Sequence, residues 1–559
     1  MHRLQALIPR WLTEYRSGWF VGDLSAGVVV ALMLVPQSMA YAIVSGLPPV
    51  TGLYASLLPS LVYAWFGSSS VQSVGTMAIT SVMMGTSLAS LQPASSDAAI
   101  AMSAAVALMA GLVLVFASAL RLGFLSALIS RPVLSGFTTG SSVMIALSQL
   151  RYLLGPQDSG LSFLGMPLPQ IHAHSLAVGL ASLTVLWLAK AYASGALRIL
   201  GLSPRATDMV IKLIPFSVIL IATLLVAWLG LDGIRLVGDV PAGLPGLYWP
   251  ALDQWERLVP TALSMALMVF LFGQSSSVVL GRKRGERILP DRELFALGSS
   301  NLAAALSGSF PVTGSISRSA VNFQAGANSQ LASVISVLLL ATALSSSTAW
   351  LSLLPMPALA AMIILAVFSM MDWAMLVACW RVDRRDALAC LATALAVILV
   401  GFNEGLVAGL LLSLGFALAS LGLSGLGLAL RGHAVYDLEP LAARSSHSGY
   451  RVRFKGALIF ANAETACSVM QNDLMSLAAQ VRQACVDQSI EPEALELCID
   501  LSAVSDLDMT AIQVLAETHQ ALSEQGFVLG FILPPEPLRA RLEREGRLLS
   551  TVSKRVGKA

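Results

Sequence analysis

Charged residues are scarce in this chain. Asp, Glu, Lys and Arg make up 12% of its 559 residues, whereas hydrophobic residues make up 56%. With a mean hydropathy of +0.75, this composition excludes an ordinary soluble protein, and many apolar runs are long enough to cross a bilayer. The formal net charge of +2 gives no support to a nucleic-acid partner. We therefore predict a polytopic α-helical membrane protein surrounded by a lipid bilayer.

Cysteine is also rare. The five cysteines of the sequence are Cys379, Cys390, Cys467, Cys485 and Cys498. Their number is odd and their spacing does not match a metal site, so neither a zinc site nor a disulfide framework is indicated. The sequence shows no nucleophile and base pair and no metal-ligand cluster. We therefore predict no catalytic residue, no metal, no cofactor and no enzymatic activity.

Residues 308–322 consist of small polar residues, glycines and one arginine between long apolar segments. Pro311 and Gly314 indicate irregular backbone, which survives at membrane depth only where it lines a cavity or is buried in protein. If a helix begins just after Gly314, the N–H groups of residues 315–317 lie unpaired at the positive end of its dipole. Arg318 adds a positive charge, so the stretch predicts an anion site inside the membrane. The alternative is that Arg318 only extends to an interface.

Residues 68–81, in the first half of the chain, have the same small and polar character between apolar runs. Two broken segments, one in each half, are typical of an inverted-repeat transporter. The alternative is that these Gly and Ser residues only allow close packing between membrane helices. That alternative explains either stretch alone but not both together.

We predict fourteen spans in two sets of seven. The first set covers residues 20–46, 52–66, 72–91, 98–119, 128–154, 175–190 and 207–230. The second set covers residues 258–280, 292–307, 314–328, 330–354, 357–379, 386–401 and 404–427. Basic residues gather at the even-numbered exits, namely Arg121, Arg131, Lys190, Arg198, Arg205, Arg282, Lys283, Arg284, Arg287, Arg381, Arg384 and Arg385. Because cytoplasmic loops carry an excess of Lys and Arg, we predict a multi-pass protein of the inner cell membrane with both termini in the cytoplasm.

The composition changes after Arg431, and residues 447–556 alternate between strand and helix patterns. We predict four parts: a cytoplasmic or interfacial segment, a transmembrane transporter domain, a linker and a soluble α/β domain. They cover residues 1–19, 20–430, 431–446 and 447–556. In the last part, strands are predicted at residues 450–454, 457–460, 495–501 and 527–533.

Several motifs resemble those of one family. Residues 34–42 and 46–54 look like the signature of the SulP sulfate permeases, whose animal relatives are the solute-carrier anion exchangers. Residues 308–322 resemble the second half-site of that family. Residues 460–464 and 500–510 resemble the STAS domain (sulfate transporter and anti-sigma-factor antagonist). The resemblance covers nearly the whole chain.

The resemblance implies two inverted seven-span repeats, with a core domain that carries the substrate past a gate domain in an elevator-like motion, and a homodimer. It also implies that the anion lies between the N-termini of the third and tenth spans, lined by the first and eighth. The residues carried over as substrate-binding are Gln37, Met77, Ala78, Gln274, Ser275, Ser315, Ser317 and Arg318.

Thr510 is a candidate regulatory residue. It follows Asp508 near the start of a predicted helix, where related anti-sigma antagonists carry a phosphorylated Ser or Thr. A phosphate there would gain from the helix N-terminus. The alternative, which we favour, is that Thr510 is only a capping or first-turn residue.

Two positions depart from the family pattern. Thr76 stands where the family usually has proline, and Gln274 stands where many relatives have Glu or Asp. An amide neither titrates nor offers the negative charge that a bound cation prefers. The other acids near spans are placed at predicted span ends, where solvation explains them: Asp23, Asp97, Asp208, Asp372 and Glu404. The sequence therefore favours anion exchange or weakly coupled transport over sodium symport.

The leading hypothesis is a secondary transporter of a small inorganic anion, with sulfate as the first candidate and bicarbonate or a small dicarboxylate behind it. A uracil or purine permease shares the inverted-repeat fold by analogy, but the charge of Arg318 disfavours an uncharged base. A third hypothesis is a membrane-anchored regulator whose C-terminal domain binds a cytoplasmic protein partner. Fourteen spans are more than such an anchor needs.

Overall fold

The structure is a computed structural model, and it describes most of the chain. The described residues are 9–124, 130–155, 158–163, 166–169, 171–199, 201, 203–250, 255–284, 286, 288–346, 348–369, 371–430, 436–441, 449–487, 496–525, 527–536 and 538–545. Arg287, the first eight residues and most of the predicted linker lie outside them. The chain divides into two compact units, Met1–Gly123 with Ser141–Met370, and Phe124–Gly140 with Met371–Ala559.

The first unit is almost entirely helical. Its helices are α1 (Arg10–Thr13), α2 (Phe20–Val44), α3 (Pro49–Tyr54), α4 (Leu58–Phe66), α5 (Ala78–Leu91), α6 (Ser96–Ala119), α7 (Arg131–Leu154, whose residues 131–140 belong to the second unit), α8 (Ala173–Ile199), α9 (Pro204–Leu229), α10 (Trp255–Arg284), α11 (Pro290–Leu306), α12 (Ile316–Gln324), α13 (Leu331–Ser345), α14 (Ala349–Ser352) and α15 (Met356–Phe368). Its strands form two antiparallel pairs, β1 (Val74–Gly75) with β4 (Thr313–Gly314) and β2 (Asp158–Phe163) with β3 (Met166–Pro169).

Six helical segments of the described chain are long and apolar enough to cross a membrane. They are Ser17–Val44, Ser96–Ala119, Arg131–Leu154, Ala173–Ile199, Trp255–Gly281 and Met356–Val382. Shorter apolar helices are Ala78–Leu91, Leu213–Leu229, Leu331–Ser345 and Glu404–Phe416. Every segment predicted as a span contains a helix, but several are interrupted. The predicted span at residues 52–66 is divided between α3 and α4, and Pro59 lies in the first turn of α4, where its missing N–H group costs no helical hydrogen bond.

Small residues let the helices of this unit approach closely, as is common between membrane helices. A Cβ added to Gly111 of α6 would lie 2.8 Å from the carbonyl oxygen of Gly298 in α11. The reverse substitution would place a Cβ 2.9 Å from the carbonyl oxygen of Gly111. The two helices therefore touch through their backbones at this crossing.

The contact between α2 and α3 gives a stability prediction. A Cβ at Gly52 would overlap the backbone carbonyl of Ser38, so Gly52→Ala should force the two helices apart. We expect a loss of roughly 1–3 kcal/mol in the free energy of unfolding, which is the usual cost of overpacking a tight interior. The midpoint of thermal unfolding, measured as the fraction of protein that stays monodisperse after heating, should fall accordingly. Gly195→Ala in α8 is the control, since no heavy atom lies within 4 Å of its added Cβ. Equal midpoints for both variants would contradict the prediction.

The second unit contains the remaining helices and a four-stranded sheet. Its helices are α16 (Trp373–Val382), α17 (Arg384–Leu399), α18 (Phe402–Leu430), α19 (Phe460–Asp487), α20 (Met509–Glu524) and α21 (Leu538–Glu545). Its strands, in sheet order, are β5 (Tyr436–Leu441), β6 (Gly449–Leu458), β7 (Glu496–Leu507) and β8 (Val528–Ile532). The pair β5 and β6 is antiparallel, and β6, β7 and β8 are parallel.

Two details of this sheet differ from the sequence-based expectation. Strand β5 lies within residues interpreted as a linker, where it extends the sheet by pairing with β6. Residues 457–460 were expected as a separate strand, but β6 continues to Leu458 and α19 begins at Phe460. The apolar core of the sheet also includes Met375 and Cys379 of α16.

The start of α20 is tied to two other helices of the second unit. Asp508 caps α20 by accepting from the Ala511 N–H group, and Asp386 of α17 accepts from the Met509 N–H group at 2.9 Å. Burial, with a smaller contribution from the carboxylate of Asp386, raises the pKa of Asp508 above its usual range. Thr510 is buried, and its hydroxyl oxygen accepts from the N–H group of Arg131 at 3.1 Å. These contacts favour a structural first-turn role for Thr510.

Candidate anion-binding site

Two helices of the first unit begin beside one another. Val74 pairs with Gly314 and Gly75 with Thr313 in the antiparallel contact between β1 and β4. Helix α5 begins three residues after β1, and α12 begins two residues after β4. The N–H group of Ser315 also donates to the carbonyl oxygen of Ser73 at 3.1 Å. This short sheet therefore positions both helix N-termini at one place, and it forms with Thr76, the residue where the resemblance implied a proline, directly after β1.

Neither helix start is strongly capped by its own residues. Met77 precedes α5 in an extended conformation and provides no side-chain cap. Ser315 precedes α12. Its hydroxyl oxygen lies 3.5 Å from the backbone nitrogen of Arg318 and 3.2 Å from the hydroxyl oxygen of Ser317. The first N–H groups of an α-helix have no carbonyl partner within the helix and carry the positive end of its dipole. The arrangement therefore presents two sets of donors that suit an anion.

Arg318 supplies a full positive charge at this place. Its side chain is fully buried, and Nη1 donates to the carbonyl oxygen of Thr76 at 2.6 Å. Its Nε and Nη2 atoms find no hydrogen-bond partner among the described residues, and no described carboxylate forms an ion pair with it. An unpaired buried charge costs several kcal/mol. Among the described residues, the site therefore lacks a negative charge to balance Arg318 and acceptors for the N–H groups of two of its nitrogen atoms.

The space beside the guanidinium group depends on a glycine. A Cβ added to Gly75 would lie 3.2 Å from Nη2 of Arg318 and 3.4 Å from the hydroxyl of Ser56. Few real contacts of a Cβ atom are that short. Gly75 therefore leaves room between strand β1 and the unpaired donors of Arg318.

Helix α10 lies along strand β4. The Thr313 hydroxyl donates to the carbonyl oxygen of Val269 at 2.6 Å, and a Cβ at Gly273 would lie 3.2 Å from the same hydroxyl. The next residue, Gln274, is buried, and its Oε1 has no hydrogen-bond partner among the described residues. Ser275 is half-buried. Helix α10 therefore contributes neutral polar groups here.

Helix α2 contacts α12, the second of the two helices that begin at the site, and its Tyr41 is buried. Gln37 is half-buried, and its Nε2 donates to the Tyr41 hydroxyl at 3.0 Å. Ser38 shares a hydrogen bond of 2.8 Å with the hydroxyl of Ser56. Tyr41 and the two serines were not among the expected site residues, although all three lie in or beside the signature segments.

The expected residues differ in exposure. Met77, Ala78 and Ser315 are buried at the two helix starts. Ser317, in contrast, is exposed in the first turn of α12. An anion at the helix starts would therefore lie against buried residues, and the exposed first turn of α12 would face the side from which it enters.

Two buried carboxylates support the loops around the site, and sequence reasoning missed both. Glu293 accepts from the Tyr63 hydroxyl at 2.9 Å, from the Ser68 N–H group at 2.8 Å and from the Ser277 hydroxyl at 2.8 Å. It thereby holds the loop that leads into β1. Asp23 accepts from the N–H groups of residues 328 and 329 at 2.6 and 3.0 Å. The attribution of Asp23 to ordinary solvation was wrong, because this side chain is fully buried.

Gln72 connects this support to strand β4. Its Oε1 lies against the Ser277 hydroxyl, and a Cβ at Gly314 would overlap its Nε2. Ser277 also contacts Glu293. The buried carboxylate is therefore linked through two side chains to the strand that precedes α12.

Solved structures share this fold. The murine solute carrier 26 family member A9 anion transporter in the inward-facing state aligns with a TM-score of 0.68 and 20% identity, covering 97% of this chain and 90% of that chain. The transmembrane domain of a cyanobacterial bicarbonate transporter aligns with a TM-score of 0.58 and 22% identity, covering 69% of this chain and 96% of that chain. At these identities the likeness shows the fold alone.

Curated relatives are more similar in sequence. Sulfate transporter 4.1, chloroplastic, of Arabidopsis thaliana is 30% identical over 97% of this chain and 80% of its own length. A protein of Mycobacterium tuberculosis named probable sulfate transporter is 32% identical over 96% of this chain and 93% of its own length. Residues 20–393 match the model of the sulfate permease family, and residues 443–556 match the STAS domain. The chain therefore belongs to the sulfate permease family and is a helical membrane transporter with a C-terminal STAS domain.

Proposed function

We propose that this protein is a secondary transporter of a small inorganic oxyanion, with sulfate as its substrate, held between the N-termini of α5 and α12. The observation that carries the proposal is the fully buried Arg318, whose Nε and Nη2 have no partner among the described residues. A sulfate oxygen can accept from both donors, and its charge offsets the guanidinium charge. An uncharged uracil or purine would leave the buried charge uncompensated.

The proposal extends to architecture. Helices α5 and α12 are the third and tenth of fourteen spans, arranged as two inverted repeats of seven. A core domain carries the anion past a gate domain in an elevator-like motion. Two copies of the chain form a homodimer in the inner membrane. Support comes from the two interrupted helices with their paired strands, from the family, and from the basic exits, which predict that both termini are cytoplasmic.

We propose sulfate rather than the other candidate substrates because the two curated relatives described above are named as sulfate transporters. Bicarbonate remains an alternative, since one arginine and a set of backbone donors suit any small oxyanion, and a small dicarboxylate is a further one. The C-terminal domain is proposed to support or regulate transport, with a cytoplasmic protein as its possible partner. It contributes no atom to the anion path in this proposal.

Uptake by reconstituted protein tests the substrate. Vesicles that contain the full chain should accumulate labelled sulfate with saturation, and unlabelled sulfate should compete more strongly than bicarbonate, succinate or chloride at equal concentration. Protein-free vesicles of the same lipid are the control. Stronger competition by bicarbonate or succinate would reassign the substrate. Vesicles that move no anion, together with a C-terminal domain that captures a protein partner, would favour the membrane-anchored regulator instead.

A further inference from the structure

A cavity of about 500 Å³ lies beside helix α16 in the second unit. One wall is formed by α16, and the other includes Gln513 of α20 and Arg544 of α21. A second cavity of about 330 Å³ shares Arg381 and Arg544 with the first and adds Arg384. Neither cavity belongs to the anion site described above. We call the two cavities, with the arginines that they share, the α16 recess.

The described residues leave most of the positive charge of the α16 recess unpaired. Arg381, Arg384 and Arg544 are all exposed, and none of them forms an ion pair with a described residue. One acid is among the residues that line the two cavities, and a second, Asp383, directly precedes Arg384. Asp372 lines the larger cavity, and its carboxylate caps α16 by accepting from the Met375 N–H group at 2.9 Å. Asp383 pairs with Arg541 at 3.1 Å. Three arginines against one capping carboxylate leave the recess positive.

An apolar stripe on α16 leads to these arginines. Trp373, Val377 and Trp380 are 57%, 48% and 55% exposed, and their spacing of four and three residues places them on one helix face. Exposed tryptophans beside arginines are typical of the boundary between a membrane and water. The stripe ends at Arg381 and Arg384, at an exit that the charge pattern assigns to the cytoplasm. A membrane lipid would therefore meet apolar side chains first and arginines at the level of its headgroup.

We propose that the α16 recess binds an anionic phospholipid, with the headgroup phosphate on Arg381, Arg384 and Arg544 and the acyl chains along the tryptophan stripe. Guanidinium groups pair with phosphate oxygens through two parallel hydrogen bonds. A soluble phosphate would use the arginines but gain nothing from the stripe. The proposal rests on the proposed membrane orientation, and it does not depend on the transported anion.

The bound lipid would join two parts of the second unit. Arg381 is in α16 and Arg384 is the first residue of α17, whereas Arg544 is in α21, the last described helix of the C-terminal domain. One phosphate that contacts all three would hold α21 against the membrane-side helices. An anionic leaflet would thereby stabilise the docked position of the C-terminal domain.

Lipid retention by the full-length protein tests the site. The protein is equilibrated in mixed phosphatidylglycerol and phosphatidylcholine, and bound lipid is measured by native mass spectrometry. We expect the unmodified protein to retain phosphatidylglycerol selectively. Arg544→Gln and Arg384→Gln should each lower its affinity about fivefold, the effect of one arginine near an anionic headgroup. Arg539→Gln is the matched control, because Arg539 is an exposed arginine of the same helix that pairs with Glu543.

Four outcomes would overturn the proposal. Equal retention of both lipids would remove the headgroup site. An equal loss in the Arg539→Gln control would show general surface attraction. Displacement of phosphatidylglycerol by millimolar inorganic phosphate would identify a soluble anion as the ligand. Efficient disulfide cross-linking between two copies through Trp380→Cys, in a background free of other cysteines, would show that a second copy covers the stripe. Because retention is measured without transport, failure here leaves the transport proposal intact.

Discussion

Arg318→Ala should weaken sulfate binding by roughly tenfold to a hundredfold, because hydrogen bonds to a charged group each contribute about 1.5–3 kcal/mol. The unmodified guanidinium has two buried nitrogen donors, Nε and Nη2, without a partner among the described residues, and the alanine variant lacks both. Equilibrium binding of labelled sulfate to purified protein measures the affinity. Initial uptake rates in vesicles should fall in parallel at low sulfate.

Thermal stability separates a binding role of Arg318 from a structural one. In sulfate-free buffer, Arg318 is a buried charge with no counter-charge among the described residues, which disfavours the folded state. The alanine variant removes that cost and opens a cavity, so we expect it to remain folded with a similar unfolding midpoint. Ligand that binds only the folded state raises the midpoint. Sulfate should therefore stabilise the unmodified protein and have little effect on the variant.

Arg318→Lys provides the graded comparison. Lysine keeps the positive charge but loses the planar fork of donors, so affinity should fall between the unmodified and alanine proteins. Arg151→Ala, which removes an exposed arginine at the end of α7 that contacts Tyr152, should bind sulfate normally. Unchanged affinity in folded Arg318→Ala protein would mean that the helix N-termini suffice and that Arg318 has a structural role.

The broken segments could be predicted from sequence because the signal is local. Proline, glycine and serine within a short window are enough to indicate irregular backbone between apolar runs. The position of the break follows from the same residues, since α12 begins at Ile316, directly after the Gly314 and Ser315 pair. The positive charge of Arg318 is also visible in the sequence. Its complete burial and its bond to Thr76 are not, because Thr76 lies 242 residues away.

The buried acids show the same limit. Asp23 sits at a predicted span end, where solvation is the ordinary expectation, and its partners lie 305 and 306 residues further along the chain. Glu293 is in the first turn of α11, and its contact with Ser68 spans 225 residues. No local sequence pattern predicts contacts between residues so far apart in the chain. Strand β5 was missed for a related reason, because only its pairing with β6 makes it a strand.

These buried acids bear directly on coupling. A sodium ion inside a membrane prefers carboxylate oxygens, and a proton-coupled mechanism needs a group that titrates. Glu293 and Asp23 are each already occupied by at least three hydrogen bonds from hydroxyl or N–H groups of the protein. Gln274, the residue of α10 beside strand β4, is neutral. The described part of the first unit therefore offers no free buried carboxylate near the helix starts.

We accordingly expect anion exchange. In reconstituted vesicles, sulfate uptake by the unmodified protein should be stimulated by an internal counter-anion and should not change when sodium replaces potassium outside. An internal anion supplies the return substrate, whereas the described residues offer sodium no free carboxylate at this site. Uptake with internal sulfate, internal chloride and an impermeant internal anion, each with and without external sodium, measures both effects.

Gln274→Glu should introduce the dependence that the unmodified protein lacks. An ionised carboxylate beside the site repels sulfate, and its protonation removes that repulsion, so uptake by the variant should rise as the pH falls through the pKa of the new group. Gln324→Glu, which adds the same charge at an exposed position of α12, should leave uptake independent of pH over the same range. Strong sodium stimulation of the unmodified protein would show that a cation site is built without this carboxylate, and the argument from Gln274 to exchange would then fail.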